Sequence, residues 1–292
     1  MSAAAESNEY LVHLALPKGR MEQAVLALLA DAGIRVTFGR RGYRPSLSLA
    51  GFETKILKPQ NIVEMLDLGS RDVGFAGADW VAELSAQVVE LLDTGLDPVR
   101  VVAAGTAEFA EAKQERTRFV IASEYERLTR EWLERRGLEA TVVRSYGATE
   151  VFPPEDADCI VDNMATGETL KANGLVVVDE LMRSSTRLFA NPRALDDPRK
   201  RARIDTLVLL LRSVLDARER VMVEVNVAAD RLEAVIAVLP SMREPTMSPL
   251  HGDQGFALKA AVPRKDLPRV IPEIKARGGT DIVVTALAQI VP

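Results

Sequence analysis

Residues Asp158–Gly174 read DCIVDNMATGETLKANG. A short apolar run, Asp158 to Val161, is a strand that ends on a carboxylate, Asp162. A turn of small and hydroxyl residues follows (Ala165, Thr166, Gly167, Glu168, Thr169), then a short helical piece stopped by Asn173-Gly174. Strand, turn and helix in this order are the unit of an α/β layer. The turn also has the makings of a phosphate seat: main-chain N–H groups and the hydroxyls of Thr166 and Thr169 near a helix start. Gly167 lets the backbone approach a ligand closely. Asp162, at a strand's carboxyl end, could accept from vicinal ribose hydroxyls. Without other signals, so short a motif favours the reading as an ordinary strand–turn–helix connection.

Outward from this unit the same alternation recurs. Tyr10–Leu16 alternates like a strand, Pro17-Lys18-Gly19-Arg20 breaks it, and Met21–Ala32 carries apolar residues at helical spacing up to Gly33. Lys18 and Arg20 then sit at a strand's carboxyl end, where open α/β sheets place ligands, although a solvated turn lysine has the same signature. Arg35–Phe52, with Arg40, Arg41 and Arg44, is irregular and basic. Thr54–Leu57 and Arg71–Ala76 read as strands around a helix opened by Lys58-Pro59, and Asp79 is a candidate N-cap for a helix to Leu84. Val88–Leu92, Val99–Ala103, Phe119–Ala122, Ala140–Arg144, Leu175–Val178 and Thr186–Ala190 follow as short strands, with Gly105–Arg118 as a polar crossover. Ser123 and Glu126 fit a capping box for a helix to Arg136, Gly147-Ala148-Thr149-Glu150 makes a second glycine turn, and Ile204–Ala217 is an apolar helix. Beyond Glu219 the order becomes β-α-β-β-α-β: Val221–Val227, a helix capped by Asp230, a link over Pro240–Gly255 with room for one short strand, Phe256–Val262, a helix over Asp266–Arg277, and Asp281–Leu287. That is the ferredoxin-like module.

Composition narrows the functions. The 292 residues carry a net charge of −5 and few aromatics, which argues against nucleic acid as a partner. The arginine-rich pieces over 127–136 and 193–203 are interleaved with acids and read as solvated helix faces. Cys159 is the single cysteine and lies in an apolar strand; His13 and His251 are the only histidines. Neither a structural zinc site nor a Ser-His-Asp site fits that inventory. The opening MSAAAESNEY reads as a disordered lead-in rather than a signal peptide, and no apolar run is long enough to span a bilayer, which points to the cytoplasm.

A series of motifs along nearly the whole chain resembles the ATP phosphoribosyltransferase family in its long form: LALPKGR (14–20), DVGFAGAD (72–79), GATE (147–150), the loop Asp162–Leu170, GLVVV (174–178), PTMSPL (245–250) and the terminal IVP. The resemblance implies a two-lobed α/β body of the type II periplasmic-binding-protein kind followed by a ferredoxin-like (ACT-like) βαββαβ domain. The expected boundaries are 1–104 with 188–217 for the first lobe, 105–187 for the second, and 218–292 for a regulatory domain. It implies that N1 of ATP displaces pyrophosphate from C1′ of phosphoribosyl pyrophosphate (PRPP), the first step of histidine biosynthesis. Mg²⁺ on the pyrophosphate, a hexamer built from dimers, and feedback inhibition by histidine belong to the same expectation.

Matched position by position, Asp162 is expected on the ribose hydroxyls of PRPP, and Ala165, Thr166, Gly167, Glu168 and Thr169 around its 5′-phosphate. Lys18, Gly19, Arg20 and Lys58 are expected at phosphates of ATP or at the pyrophosphate. Asp79 and Glu150 should line the cleft on its adenine, ribose or metal side. Asn226, Thr246 and Ser248 are expected histidine contacts. Three positions depart from the family pattern: Glu168 stands where a basic or small residue is frequent, Gly74-Phe75-Ala76-Gly77 replaces Gly-Ile-Thr-Gly, and Lys58 replaces a frequent arginine, losing bidentate phosphate contact. A two-lobed solute-binding protein shares this architecture and is the competing expectation.

Overall fold

The computed structural model describes residues 10–39, 42–112, 119–242, 244–252 and 254–291. The expected lead-in over 1–9, Arg40 and Arg41 of the basic stretch, 113–118 of the expected crossover, and Pro292 of the terminal motif lie outside the described residues. Two compact units emerge, one reaching Ala30 and resuming over Ile34–Asp205, the other made of Asp31–Gly33 and everything from Thr206. The division falls inside a continuous helix, Pro198–Arg218.

The first unit is built on an eight-stranded sheet in the order β4-β1-β5-β10-β6-β9-β7-β8. Its strands are β1 (Val12–Pro17), β4 (Phe52–Leu57), β5 (Val73–Gly77), β6 (Val89–Gly105), β7 (Phe119–Ser123), β8 (Ala140–Arg144), β9 (Cys159–Met164) and β10 (Val176–Ala190). Between them lie α1 (Glu22–Asp31), α2 (Pro59–Asp67), α3 (Ala78–Leu84), α4 (Ala107–Ala112), α5 (Glu126–Arg136), α6 (Glu168–Ala172) and α7 (Pro192–Asp196), with α8 (Pro198–Arg218) after them. The stretch expected to be irregular holds a small hairpin, β2 (Val36–Thr37) with β3 (Ser46–Leu47).

The sheet divides into two parallel sets that share two long strands. β4, β1 and β5 are parallel and form one lobe; β9, β7 and β8 are parallel and form the other. β6 and β10, antiparallel to one another, run through both. The sequence suggested two short strands in place of each. They are continuous because polar side chains bridge the irregular middle, where Gly95 and Asp97 take positive φ. The Thr94 hydroxyl donates to the Thr186 carbonyl at 2.5 Å, Thr186 Oγ1 donates to Asp97 at 3.0 Å, and Ser185 Oγ donates to Asp93 at 2.7 Å. Bulges absorb the mismatch without ending the ladder.

Register locates the cleft. Gly77, the last residue of β5, pairs with Thr186; Met164, the last of β9, pairs with Arg100, itself opposite Arg183. The carboxyl ends of the two parallel sets therefore approach one another from opposite directions over the middle of β6 and β10. In the second lobe, Val101, Ala103, Ile121, Cys159 and Val161 bury one sheet face against α5 (Leu128, Trp132, Leu133). Val102, Ala104, Ile160 and Met164 bury the other against Leu170 of α6. Cys159 is a buried core residue, as its apolar strand suggested.

The second unit is a four-stranded antiparallel sheet, order β12-β13-β11-β14, from β11 (Arg220–Val227), β12 (Thr246–Pro249), β13 (Phe256–Pro263) and β14 (Thr280–Ala286). With α9 (Leu232–Ile236) and α10 (Leu267–Ala276) it is the expected βαββαβ module. Alternation along β11 buries Val221, Val223, Val225 and Val227 under the helices with Val235, Val270 and Ile274, and leaves Met222, Glu224 and Asn226 on the other face. Asp230 does not cap a helix: it lies inside a 3₁₀ turn, Ala229–Arg231, that precedes α9.

Candidate active site

A pocket of about 240 Å³ sits at the end of β9, lined by Asp162, Asn163, Ala165, Thr166, Gly167 and Thr169 of the loop and by Glu150, with Val102, Ile160, Met164 and Leu170 as its apolar base. Gly167 adopts φ +83, and a Cβ built there would meet Met164 Sδ at 3.0 Å. Glu168 is exposed and outside the lining, so its carboxylate turns away; its N–H reaches Thr166 Oγ1 at 3.4 Å. α6 is a single short turn of five residues, so any anion here is met by loop N–H groups and threonine hydroxyls more than by a helix dipole.

Asp162 is half-buried on the face that α6 covers. Desolvation by burial pushes its carboxyl up to about 6; Glu124 and Glu150 push the same way, and bonds from the Asn163 N–H and the Thr149 hydroxyl oppose them. Thr149 is fully buried, with its hydroxyl 2.9 Å from Ser145 Oγ, so the turn over 145–150 is pinned under Asp162. Glu150 lines the same pocket.

Asp79 is placed differently from the expectation. Only 3% exposed, it is neither an N-cap (Gly77 holds that position) nor a cleft-facing group. Its Oδ1 accepts from Ser184 Oγ at 2.5 Å and its Oδ2 from the Tyr125 hydroxyl at 2.6 Å. A buried carboxylate needs such partners. Burial beside Asp79 raises the Tyr125 phenol well above its ordinary value.

The Ser123–Glu126 capping box also gives way to a longer-range cap. Ser123 Oγ donates to the Val161 carbonyl at 2.6 Å and accepts from Tyr125 N at 2.8 Å, and α5 starts after Tyr125. Glu83 of α3 reaches across and takes the N–H groups of Arg127 at 2.9 Å and Leu128 at 3.0 Å. In return the Arg127 guanidinium takes the carbonyls of Ala82 and Glu83 at the end of α3. Trp80 stacks on Tyr125 with ring centroids 4.8 Å apart. These contacts join the two lobes beside the pocket.

Lys18, Gly19, Arg20 and Lys58 are exposed and not part of the pocket lining. Because Pro17 pairs with Leu57, Lys18 and Lys58 stand side by side past the ends of β1 and β4, on the first lobe's cleft edge. Lys18 Nζ lies 5.3 Å from the centre of the Tyr43 ring. In the second unit, Asn226 and Ser248 both pair with Ala257 and so share the helix-free face; Asn226 Nδ2 donates to Asp281 at 3.1 Å. Thr246 lines a separate cavity of about 370 Å³ with Met222, Lys259 and Ile290. Sequence reasoning missed Tyr125, Asn163, Ser184 and Glu83. Asn163 stands beside Asp162 in the motif, while the parts played by the other three arise from contacts across long separations.

Comparison with known proteins places this geometry. A family model described as ATP phosphoribosyltransferase matches residues 58–213, and one described as HisG, C-terminal domain, matches residues 217–289. The chain is 36% identical over 284 residues to an ATP phosphoribosyltransferase of Chlorobium phaeovibrioides, covering 93% of this chain and 95% of the relative. It is 35% identical over 287 residues to that of Pelotomaculum thermopropionicum, covering 96% and 99%. Among solved structures, an ATP phosphoribosyl transferase (HisG:HisZ) complex from Thermotoga maritima holds a similar chain with TM-score 0.62 and 25% identity, over 70% of this chain and 99% of that one.

Proposed function

The chain belongs to the ATP phosphoribosyltransferase family, and from that premise we propose that it joins N1 of ATP to C1′ of PRPP and releases pyrophosphate, the entry step of histidine biosynthesis. The observation that carries the site assignment is that Asp162 and the 165–169 loop line one pocket at the end of β9. The relatives are named as enzymes, so the solute-binding alternative is set aside.

Within that pocket Asp162 accepts from the two ribose hydroxyls, while the amides of residues 165–169 and the hydroxyls of Thr166 and Thr169 hold the 5′-phosphate. The adenine N1 lone pair forms the new bond to C1′, and the C1′–O bond breaks with its electron pair leaving on pyrophosphate. Positive charge develops on the ribose ring in between, as in other displacements at an anomeric carbon. The substrate is itself the nucleophile, so the protein's part is to position two polyanions and offset leaving-group charge. Lys18, Arg20 and Lys58, on the opposing lobe, are the cations for the triphosphate or pyrophosphate. Mg²⁺, which binds mainly through substrate phosphates and few carboxylates, would offset charge on the leaving pyrophosphate, with Glu150 as the pocket carboxylate that would meet it. That donor set suits an ion brought by substrate, since the described residues hold no cluster of three acidic, histidine or cysteine groups that would cage one.

The second unit is assigned histidine binding, with Asn226, Thr246 and Ser248 as contacts, and the active form a cytoplasmic assembly of dimers up to a hexamer. Mixing the protein with ATP, PRPP and Mg²⁺ should give the absorbance of N1-alkylated adenine, suppressed by histidine; a flat trace contradicts the assignment. Deleting the chain after Ala217 is expected to abolish histidine inhibition, and a truncated enzyme that stays fully sensitive would refute the regulatory role.

A further inference from the structure

The geometry points to Tyr125 and Asn163 as positioning residues that hold Asp162 in place for the ribose and tie its orientation to the opposing lobe. The inference rests on the proposed role of Asp162 and extends it to Tyr125, outside the motifs quoted above, and to Asn163, to which the motif reading gave no role.

Five side chains form one continuous chain of hydrogen bonds. Ser184, on β10, donates to Asp79 at 2.5 Å, and its oxygen accepts the Asp79 N–H at 3.0 Å. Tyr125 donates to the other Asp79 oxygen at 2.6 Å. Asn163 Nδ2 then donates to the Tyr125 oxygen at 3.1 Å and to Asp162 Oδ1 at 3.2 Å. An amide nitrogen has two N–H groups, and these two acceptors use both of them. Every hydroxyl donates once and accepts once: Ser184 and Tyr125 both donate to Asp79, and the Asn163 amide donates in both directions, to Tyr125 and to Asp162.

Strand alternation explains why the connection exists. Successive residues on β9 face opposite sides of the sheet, so Asp162 lies on the α6 face and Asn163 on the α5 face, where Tyr125 is buried. The Asn163 N–H also donates to Asp162 Oδ1, at 2.6 Å, so that oxygen is held twice by its neighbour. Asp79 belongs to α3 of the first lobe and Tyr125 to the second, so the 2.6 Å bond between them links the two lobes. Any change in lobe separation therefore acts on Asn163 and, through it, on the carboxylate.

The test is a double-mutant cycle in the full-length protein, with PRPP varied at saturating ATP. Tyr125→Phe keeps the ring on Trp80 and removes only the hydroxyl; Asn163→Ala removes the amide and keeps the main-chain bond to Asp162. Each single change is expected to raise KM for PRPP about fivefold, the size of one neutral hydrogen bond, with KM for ATP unchanged. The double variant is expected to be no worse than the poorer single one, because both cut the same chain. The unchanged KM for ATP separates positioning from a purely structural role, which would disturb both substrates. Wild-type KM for PRPP in either variant, or effects that multiply in the double, overturns the relay while leaving wild-type activity intact. Asn163 is exposed, so its variant decides the matter even if Tyr125→Phe does not fold. A wild type inactive in the same assay overturns relay and activity together.

Discussion

Asp162→Asn is expected to lower kcat/KM for PRPP about thirtyfold, an energy of about 2 kcal/mol, the usual worth of hydrogen bonds to a charged acceptor. The same change is expected to make the protein more stable at neutral and alkaline pH. Burial holds the folded-state carboxyl near 6, above its ordinary 3.8, so between those values the folded chain binds a proton that the unfolded chain does not. The penalty for burying the anion is thus fully present above about pH 6 and relieved as pH falls toward 3.8. Asparagine never carries that penalty. The variant should melt above the wild type at pH 8, with the gap closing by pH 4, and wild-type kcat/KM should decline as pH drops through about 6. A variant both less active and less stable would mean that Asp162 serves the fold instead.

Gly167→Val is expected to lower kcat/KM for PRPP on the order of a hundredfold, the scale on which small misplacements of positioning groups are felt. At φ +83 a β-branched residue is strained, and its Cβ would press on Met164 Sδ at 3.0 Å. The loop must shift, and the amides and threonine hydroxyls shift with it. The loss should appear as a raised KM for PRPP with KM for ATP little changed, at a folding cost of about 1–2 kcal/mol. An unaltered KM for PRPP would show that the loop does not hold this substrate.

Local pattern made much of this legible. The alternation of strand and helix, the carboxylate near the end of β9, the glycine at a position needing positive φ, and the order of the last module are all written within short windows. What escaped was written across long separations. β6 looks broken because Gly95 and Asp97-Pro98 interrupt its alternation, and β10 because the largely polar run over 179–185 interrupts its own; side chains of the two facing strands bridge the gap. Glu83 caps α5 from another helix, so the nearer Ser123 was the natural but mistaken choice. Asp79 has the sequence of a cap or a cleft group, and its burial became visible only once Ser184 and Tyr125 were brought against it.

The most direct measurement of the central assignment is a crystal of the protein soaked with PRPP and Mg²⁺. The expected density places the 5′-phosphoryl oxygens among the amides of residues 165–169 and both ribose hydroxyls against the Asp162 carboxylate, with pyrophosphate extending toward the opposing lobe. Density for the sugar phosphate at any other place, or a loop pocket that stays empty at saturating PRPP, would contradict it.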